Sequence, residues 1–337
     1  MAKPLPVGKL PAELLQELLR KYTRPNSRVI VGPGVGEDAA VIDFGERYLV
    51  AKTDPITFAT DEIGWYAVNV NANDIACSGG VPKWFLVTAL LPAGTADAEM
   101  AESIFAQLAE ACQALDITLC GGHTEITYDL ERPILVGLML GEVEPARLVH
   151  SGGARSGDAL ILTKGIAIEG TALIAREKGE MLAGEFPADF LQRCRQMLHE
   201  PGISVVREAR LLRQHVDVHA MHDPTEGGLA TALWELAAAA GVGLRVYRDA
   251  IPILPETQAL CQRFGLDPLG LIASGALLAT VPAVQAEKAV RLLAEAGIAA
   301  RCIGEVLPAG EGVWLRDAGG DQPLPRFARD EFARLVE

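Results

Sequence analysis

The chain is short of aromatic residues, which make up 5% of it, and it has no excess of positive charge. Its 30 Lys and Arg stand against 44 Asp and Glu, a formal net charge of −14 at pH 7. With no net positive field to draw phosphates in, DNA or RNA is excluded as main partner. A nucleotide is not, because metal ions can bridge two negative partners. Charge therefore favours a metal-dependent site over a basic groove. The six cysteines, at 77, 112, 120, 194, 261 and 302, contain no CxxC pair and no zinc-like spacing. Most sit in apolar stretches, Cys112 among alanines and Cys302 beside Ile303, and read as buried, inert thiols. No apolar run reaches the roughly 20 residues that cross a bilayer, and the first residues show no basic-plus-apolar leader pattern. A cytoplasmic protein without a membrane partner is expected. GxSxG, HExxH and Cys/His nucleophile signatures are also missing.

What is present is a hydrophobic content of 50% over 337 residues, the balance of a packed chain long enough for two domains. Periodicity predicts helices over 10–22, 61–78, 96–115, 169–177, 187–199, 203–214, 226–240, 255–264 and 283–296. Strands are predicted over 29–31, 39–42, 48–52, 83–91, 134–143, 159–163, 217–221, 243–247, 276–281 and 300–306. The most loop-like stretch, Ser151 to Asp158, marks the boundary, dividing the chain into domains 1–152 and 153–337. The alternation indicates α/β to α+β layers.

Four stretches break local rules. Gly32-Pro33-Gly34-Val35-Gly36-Glu37-Asp38 alternates glycines and then delivers two acids into a strand. Such a loop brings backbone N–H groups near an anion, with Gly36 in the loop and Asp38 placed to hold a metal; the alternative is a plain turn. Lys52-Thr53-Asp54-Pro55 places a carboxylate just past a strand's end, a ligand position that is also an ordinary turn. The helix from Asp61 contains Asn69, Asn71, Asn73 and Asp74, residue types that disfavour helix interiors. With Trp65, Val68, Ala72 and Ile75 as apolar stripe, Asn71, Asp74 and Ser78 share a separate polar face suited to oxygen ligation in tight quarters. Met221-His222-Asp223-Pro224-Thr225-Glu226-Gly227-Gly228 follows a strand and opens a helix. Thr225 is a plausible N-cap, Asp223 a further metal ligand and the loop a phosphate seat; the alternative is a capped turn. A fifth stretch, Cys120-Gly121-Gly122-His123, reads as a connection between two strands, with His123 open to either a substrate-contacting or a structural role. Hard oxygen ligands, small residues and helix N-termini together point to Mg²⁺-assisted phosphoryl chemistry.

In this order and over nearly the whole chain, these motifs resemble the AIR synthetase (aminoimidazole ribonucleotide synthetase-related) superfamily. Gly34-Val35-Gly36-Glu37-Asp38 looks like its opening glycine–acid segment, and Thr53-Asp54 like its strand-end Thr-Asp. Val70-Asn71-Ala72-Asn73-Asp74-Ile75-Ala76 is similar to its "VN-x-x-D-x-A" helix. Asp223-Pro224-Thr225-Glu226-Gly227-Gly228-Leu229 is closest to the "DPT-x-GGL" of the hydrogenase expression/formation (carbamoyl dehydratase) branch. The resemblance implies ATP and Mg²⁺ as cofactors, an N-terminal sheet-plus-helices domain and a C-terminal α+β domain. It further implies a homodimer whose paired N-terminal sheets form a barrel. Asp38, Asp54, Asp74 and Asp223 would bind Mg²⁺. Asn71, Gly121 and Gly122, with Gly36, Thr225 and Gly227, would line the nucleotide, and His123 and Asp223 are the catalytic candidates.

Two departures qualify it. The branch ends in Pro-Arg-x-Cys, whose thiol carries the carbamoyl group. Here Pro325-Arg326-Phe327-Ala328-Arg329 stands, with no cysteine after Cys302, so that step is not expected of this chain. His123 stands where kinase members carry Asp. An ATP-dependent phosphoryl-transfer or dehydration enzyme, a small-molecule kinase resembling thiamine-monophosphate kinase, and a nucleotide-sensing homodimer all remain open, as does the substrate.

Overall fold

The computed structural model describes residues 10–34, 37–57, 59 and 61–335. These fall into two compact units, one built from Asn26–Gly32 and Asp38–Leu148 and the other from the remaining described residues.

The first unit holds β1 (Val29–Val31), β2 (Ala40–Asp43), β3 (Tyr48–Ile56), β4 (Val81–Pro92), β5 (Thr118–Thr127) and β6 (Ile134–Val143) in one sheet of order β1-β2-β3-β6-β4-β5. Only β4 and β5 pair in parallel; the other neighbours are antiparallel. Helix α1 (Ala12–Tyr22) belongs to the other unit, while α2 (Ile63–Cys77) and α3 (Ala98–Ala114) pack here. Asp97 caps α3 by accepting the Met100 N–H at 2.8 Å, as its place beside the predicted helix start requires.

Helix α2 departs from the amphipathic expectation. Every residue from Ile63 to Cys77 except Trp65 is buried. Three glycines explain how the backbone is approached so closely. A Cβ on Gly64 would lie 2.8 Å from Gln107 Cβ of α3, and one on Gly137 of β6 would lie 2.4 Å from Asn71 Nδ2. One on Gly141 of β6 would lie 2.4 Å from Ile75 Cγ2. The asparagines are tolerated because their carboxamides bond back along the helix, Asn69 Nδ2 to Trp65 O and Asn71 Nδ2 to Ala67 O, each at 2.9 Å.

The second unit carries β7 (Asp158–Thr163), α4 (Ile168–Glu177), α5 (Gly179–Leu182), α6 (Ala188–Gln196), α7 (Val206–His215), β8 (Ala220–His222), α8 (Gly228–Ala240) and β9 (Gly243–Tyr247). It continues with α9 (Pro255–Phe264), β10 (Leu278–Pro282), α10 (Ala286–Glu295), β11 (Ala300–Leu307), β12 (Val313–Asp317) and β13 (Gly320–Pro323). Its sheet order is β13-β12-β9-β11-β7-β10-β8. The core between sheet and α8 is aliphatic, with Leu160, Leu162, Leu229, Leu233, Leu244 and Leu278 at or near zero exposure.

Four cysteines, 77, 112, 194 and 261, are buried, whereas Cys120 and Cys302 are exposed. Cys302 therefore departs from the buried expectation, because β11 presents it to solvent although Ile303 beside it points inward. Among the described residues no helix is long and apolar enough to cross a membrane.

Candidate functional site

In the first unit, alternation along β3 puts Lys52 and Asp54 on one face of the strand. Lys52 Nζ lies 3.4 Å from Asp54 Oδ2 and 3.3 Å from Asp74 Oδ1 of α2. Asp74 is buried, with its side chain 6% exposed, while that of Asp54 is 33% exposed. Asn71 fixes the spacing of helix and strand: its Oδ1 accepts the Asp54 N–H at 2.9 Å, and its Nδ2 reaches Asp54 O at 3.4 Å. The Asn71 carboxamide is thus committed to backbone. Asp54 sits inside β3, which runs on to Ile56, and not past a strand end. The reason is that β6 pairs with β3 through Pro55 and Ile56, so the ladder carries the strand across the Asp-Pro step. Asp38 is buried and precedes β2 by two residues. Since Ala40 pairs with Ala51, the antiparallel ladder brings Asp38 towards the Lys52–Asp54 end of β3. Gly36 lies outside the described residues.

Cys120 to His123 is not a connection but the middle of β5. Its glycines read as loop, yet they make a bulge: Phe85 pairs with Leu119 and Leu86 with Gly121, leaving Cys120 extra. Gly122, at φ +148, runs so close to β4 that a Cβ would sit 1.9 Å from Val87 O. A cavity of about 320 Å³ opens over this bulge, lined by Val87, Phe105 and residues 119–124. His123 is exposed and its Nε2 lies 3.3 Å from Glu125 Oε2.

In the second unit, Asp223 follows β8 and is 1% exposed. Next to it His222 Nε2 lies 3.0 Å from Glu235 Oε2 of α8. The glycines turn the chain into α8 through two left-handed residues, Gly227 at φ +84 and Gly228 at φ +67. Gly227, and not Thr225, occupies the N-cap. Only glycine takes that conformation cheaply, so the helix starts two residues later than a Thr cap would set. The Thr225 carbonyl instead accepts the N–H groups of Gly228 at 3.0 Å and Ala273 at 3.2 Å. The Gly227 N–H, a predicted phosphate donor, is held at 2.6 Å by Asp330 Oδ2.

Residues 36–143 match the family model described as AIR synthase related protein, N-terminal domain, and residues 155–315 the model of its C-terminal domain. The chain belongs to the AIR synthase-related family. It is similar to a putative hydrogenase expression/formation protein of Methanocaldococcus jannaschii, 28% identical over 338 residues that cover 95% of this chain and 96% of the relative. Its fold matches that of the hydrogenase maturation protein HypE in complex with ATP, with a TM-score of 0.72, 24% identity and coverage of 94% of this chain and 90% of that one. It also matches AaThiL complexed with AMPPCP and TMP, with a TM-score of 0.71, 23% identity and coverage of 93% and 94%.

Three residues of this family member escaped sequence reading. Lys52 was visible only as the start of a turn motif, and period-two alternation was the signal that could have joined it to Asp54. Glu169, at the start of α4, is buried, with Oε2 accepting the Ser274 N–H at 3.2 Å, and burial pushes its carboxyl up to about 7. Burial likewise pushes Asp330 up to about 6. Nothing in the local pattern marks either acid. The arrangement gathers carboxylates and one ammonium in the first unit, and carboxylates beside a helix start in the second. Both suit a metal-bound polyanion, since hard oxygen donors can hold a divalent cation against phosphate.

Proposed function

We propose that this chain is a Mg²⁺-dependent, ATP-binding protein that applies ATP-driven phosphoryl-transfer or dehydration chemistry to a small-molecule or protein substrate, in the manner of hydrogenase expression/formation proteins. The observation that carries this reading is the Lys52 ammonium held between the Asp54 and Asp74 carboxylates. Two carboxylates that already gather one cation at ion-pair distance offer the hard oxygen donors that Mg²⁺ prefers. Asp38, Asp54 and Asp74 would hold Mg²⁺ in the first unit, and Asp223 would serve as a ligand in the loop of the second. Bound there, the metal would supply neutralisation of phosphate charge. Lys52 would then face a phosphate, as an ammonium on a flexible stem can. Gly121, Gly122, Thr225 and Gly227 would let backbone approach the nucleotide.

A homodimer fits the first unit's open edge. Strand β5 is last in its sheet, and Ile126 and Tyr128 are 61% and 83% exposed at its end. An edge strand with no neighbour on one side among the described residues is a template for a second copy, from which a shared barrel can be built.

The kinase reading rests on one observation. Ala328, three residues after Pro325, occupies the place of the thiol in Pro-Arg-x-Cys, so the carbamoyl carrier is missing at that position. Calorimetry with ATP at excess Mg²⁺ tests the main reading: binding that disappears in Asp74→Asn and on chelation supports it, and no binding by the wild type sinks it. Metabolite-dependent ADP release would favour the kinase, whereas binding without turnover would favour a nucleotide sensor.

A further inference from the structure

Residues 324–335 are fastened to the second unit along their length. The Leu324 N–H donates to Val313 O of β12 at 3.0 Å. The Arg326 guanidinium stacks 3.8 Å over the Trp234 ring of α8, whose Nε1 donates to Pro325 O at 3.4 Å. Phe327 closes over Gly270, where a Cβ would come within 2.5 Å of its ring. Glu331 Oε2 accepts the Asp267 N–H at 2.9 Å and pairs with Arg334 at 2.7 Å.

At the centre of this segment sits Asp330, 4% exposed. Its Oδ2 accepts the Gly227 N–H at 2.6 Å and its Oδ1 the Phe332 N–H at 2.8 Å. Helix α8 has no side-chain cap of its own, because the left-handed Gly227 precedes it. A carboxylate from 103 residues further along the chain takes over that role. The contact is short and charge-assisted, and it lies at the positive end of a 13-residue helix, where an anion is favoured.

We propose that Asp330 is a positioning residue for the nucleotide loop, so that the C-terminal segment acts as a fixed brace holding residues 225–228, and Asp223 before them, in the shape that receives Mg-nucleotide. This rests on the ATP-binding reading above. It assigns to the segment a role opposite to that of a group carrier. A carrier must travel to the reacting phosphate, whereas a brace works by staying put. The stacking of Arg326, the closure of Phe327 over Gly270 and the alanine at 328 all agree with the brace.

The test compares wild type, Asp330→Ala and Asp330→Asn by ATP calorimetry at excess Mg²⁺, each with a thermal melt, from pH 5 to 8. Asp330→Ala leaves the Gly227 N–H buried without its acceptor, and the expected loss of affinity is roughly tenfold, the size of one such hydrogen bond. Asp330→Asn keeps one acceptor oxygen, enough for the Gly227 or the Phe332 N–H but not both, and is expected to recover part of that loss at pH 7.5. Glu226 in the loop and Glu169 on α4 are the acids whose charge acts on Asp330. Protonation of Asp330 as pH falls through about 6 weakens its grip, so wild-type affinity should drop there relative to Asp330→Asn. Affinity within twofold of wild type in a folded Asp330→Ala overturns the proposal. If that variant does not fold, identical pH profiles for wild type and Asp330→Asn overturn it. A wild type that binds no Mg·ATP removes the underlying reading as well, an outcome distinct from a variant that binds as tightly as its parent.

Discussion

Lys52 of β3 and Asp74 of α2 meet at 3.3 Å, with both side chains largely withdrawn from water. The pair ties the buried helix to the sheet and presets the charge of the candidate metal site. Replacing Lys52 by Met takes a neutralising ammonium from a carboxylate that is 6% exposed. Breaking a largely buried pair from one side costs on the order of 3 kcal/mol. The Lys52→Met/Asp74→Asn double variant should regain most of that, because no carboxylate is left in need of compensation at that position. Urea denaturation of the two single variants and the double variant checks this. A double variant no more stable than Lys52→Met would show that the pair does not set the stability.

The bulge in β5 makes a sharper demand. Gly122 combines φ +148 with backbone contact to Val87, where a Cβ would stand 1.9 Å from the carbonyl oxygen. Gly122→Ala can be accommodated only by pulling β5 away from β4, at more than about 2 kcal/mol. Gly121, at the same φ but with open space around its Cβ position, should lose less on the same change. Ordering the two variants by denaturation midpoint decides the point.

The contrast between these two places says how far the sequence could be read. Strand Ile134–Val143, strand Gly243–Tyr247 and helix Pro255–Phe264 coincide with their predicted limits, because apolar periodicity and flanking glycine or proline mark them locally. Strand β5 was invisible as a strand. Its Gly-Gly pair reads as loop, and its exposed polar positions give no alternation against a core. The burial of α2 on all faces was equally hidden, since period reports the residues of one helix and not Gly137 and Gly141 of β6, which let the sheet close on it. Asp54 and Asp74 were legible through residue type in an unusual place. The partner that binds them, Lys52, depends on how helix and strand dock. The same holds for Asp330 and Gly227, which are 103 residues apart.

Glu169 predicts a pH dependence with a definite sign. In the unfolded chain a glutamate titrates near 4.5, whereas burial holds the folded carboxyl up at about 7. Between those values the folded state keeps a proton that the unfolded state has lost. Its stabilising contribution is therefore complete below about 4.5 and disappears as pH rises through about 7. Asp330, raised from 3.8 to about 6, acts in the same direction over a lower window. The Glu169 shift corresponds to at most about 3 kcal/mol. Glu169→Gln keeps an acceptor for the Ser274 N–H without the charge. It should match wild type near pH 5 and exceed it in melting temperature at pH 8. Parallel melting curves for the two proteins across that range would rule out Glu169 as the source.

The cysteines give a test of the β5 edge itself. Burial pushes the Cys112 thiol up to about 11 and those of Cys194 and Cys261 to about 12, and Cys77 is buried as well. Thiolate is the reacting form, so these four should resist a thiol-specific reagent in the native protein. Cys120 and Cys302 are exposed and should react, giving two labels on a monomer. Cys120 is the bulge residue of β5, whereas Cys302 lies on β11 of the other unit. If β5 pairs with a second copy, Cys120 becomes covered and its labelling slows as protein concentration rises, while Cys302 keeps its rate and serves as internal control. Peptide mapping of the labelled sites across a concentration series separates the two rates. Equal, concentration-independent labelling of both thiols, in a range where light scattering reports a dimer, would place the subunit contact somewhere other than β5.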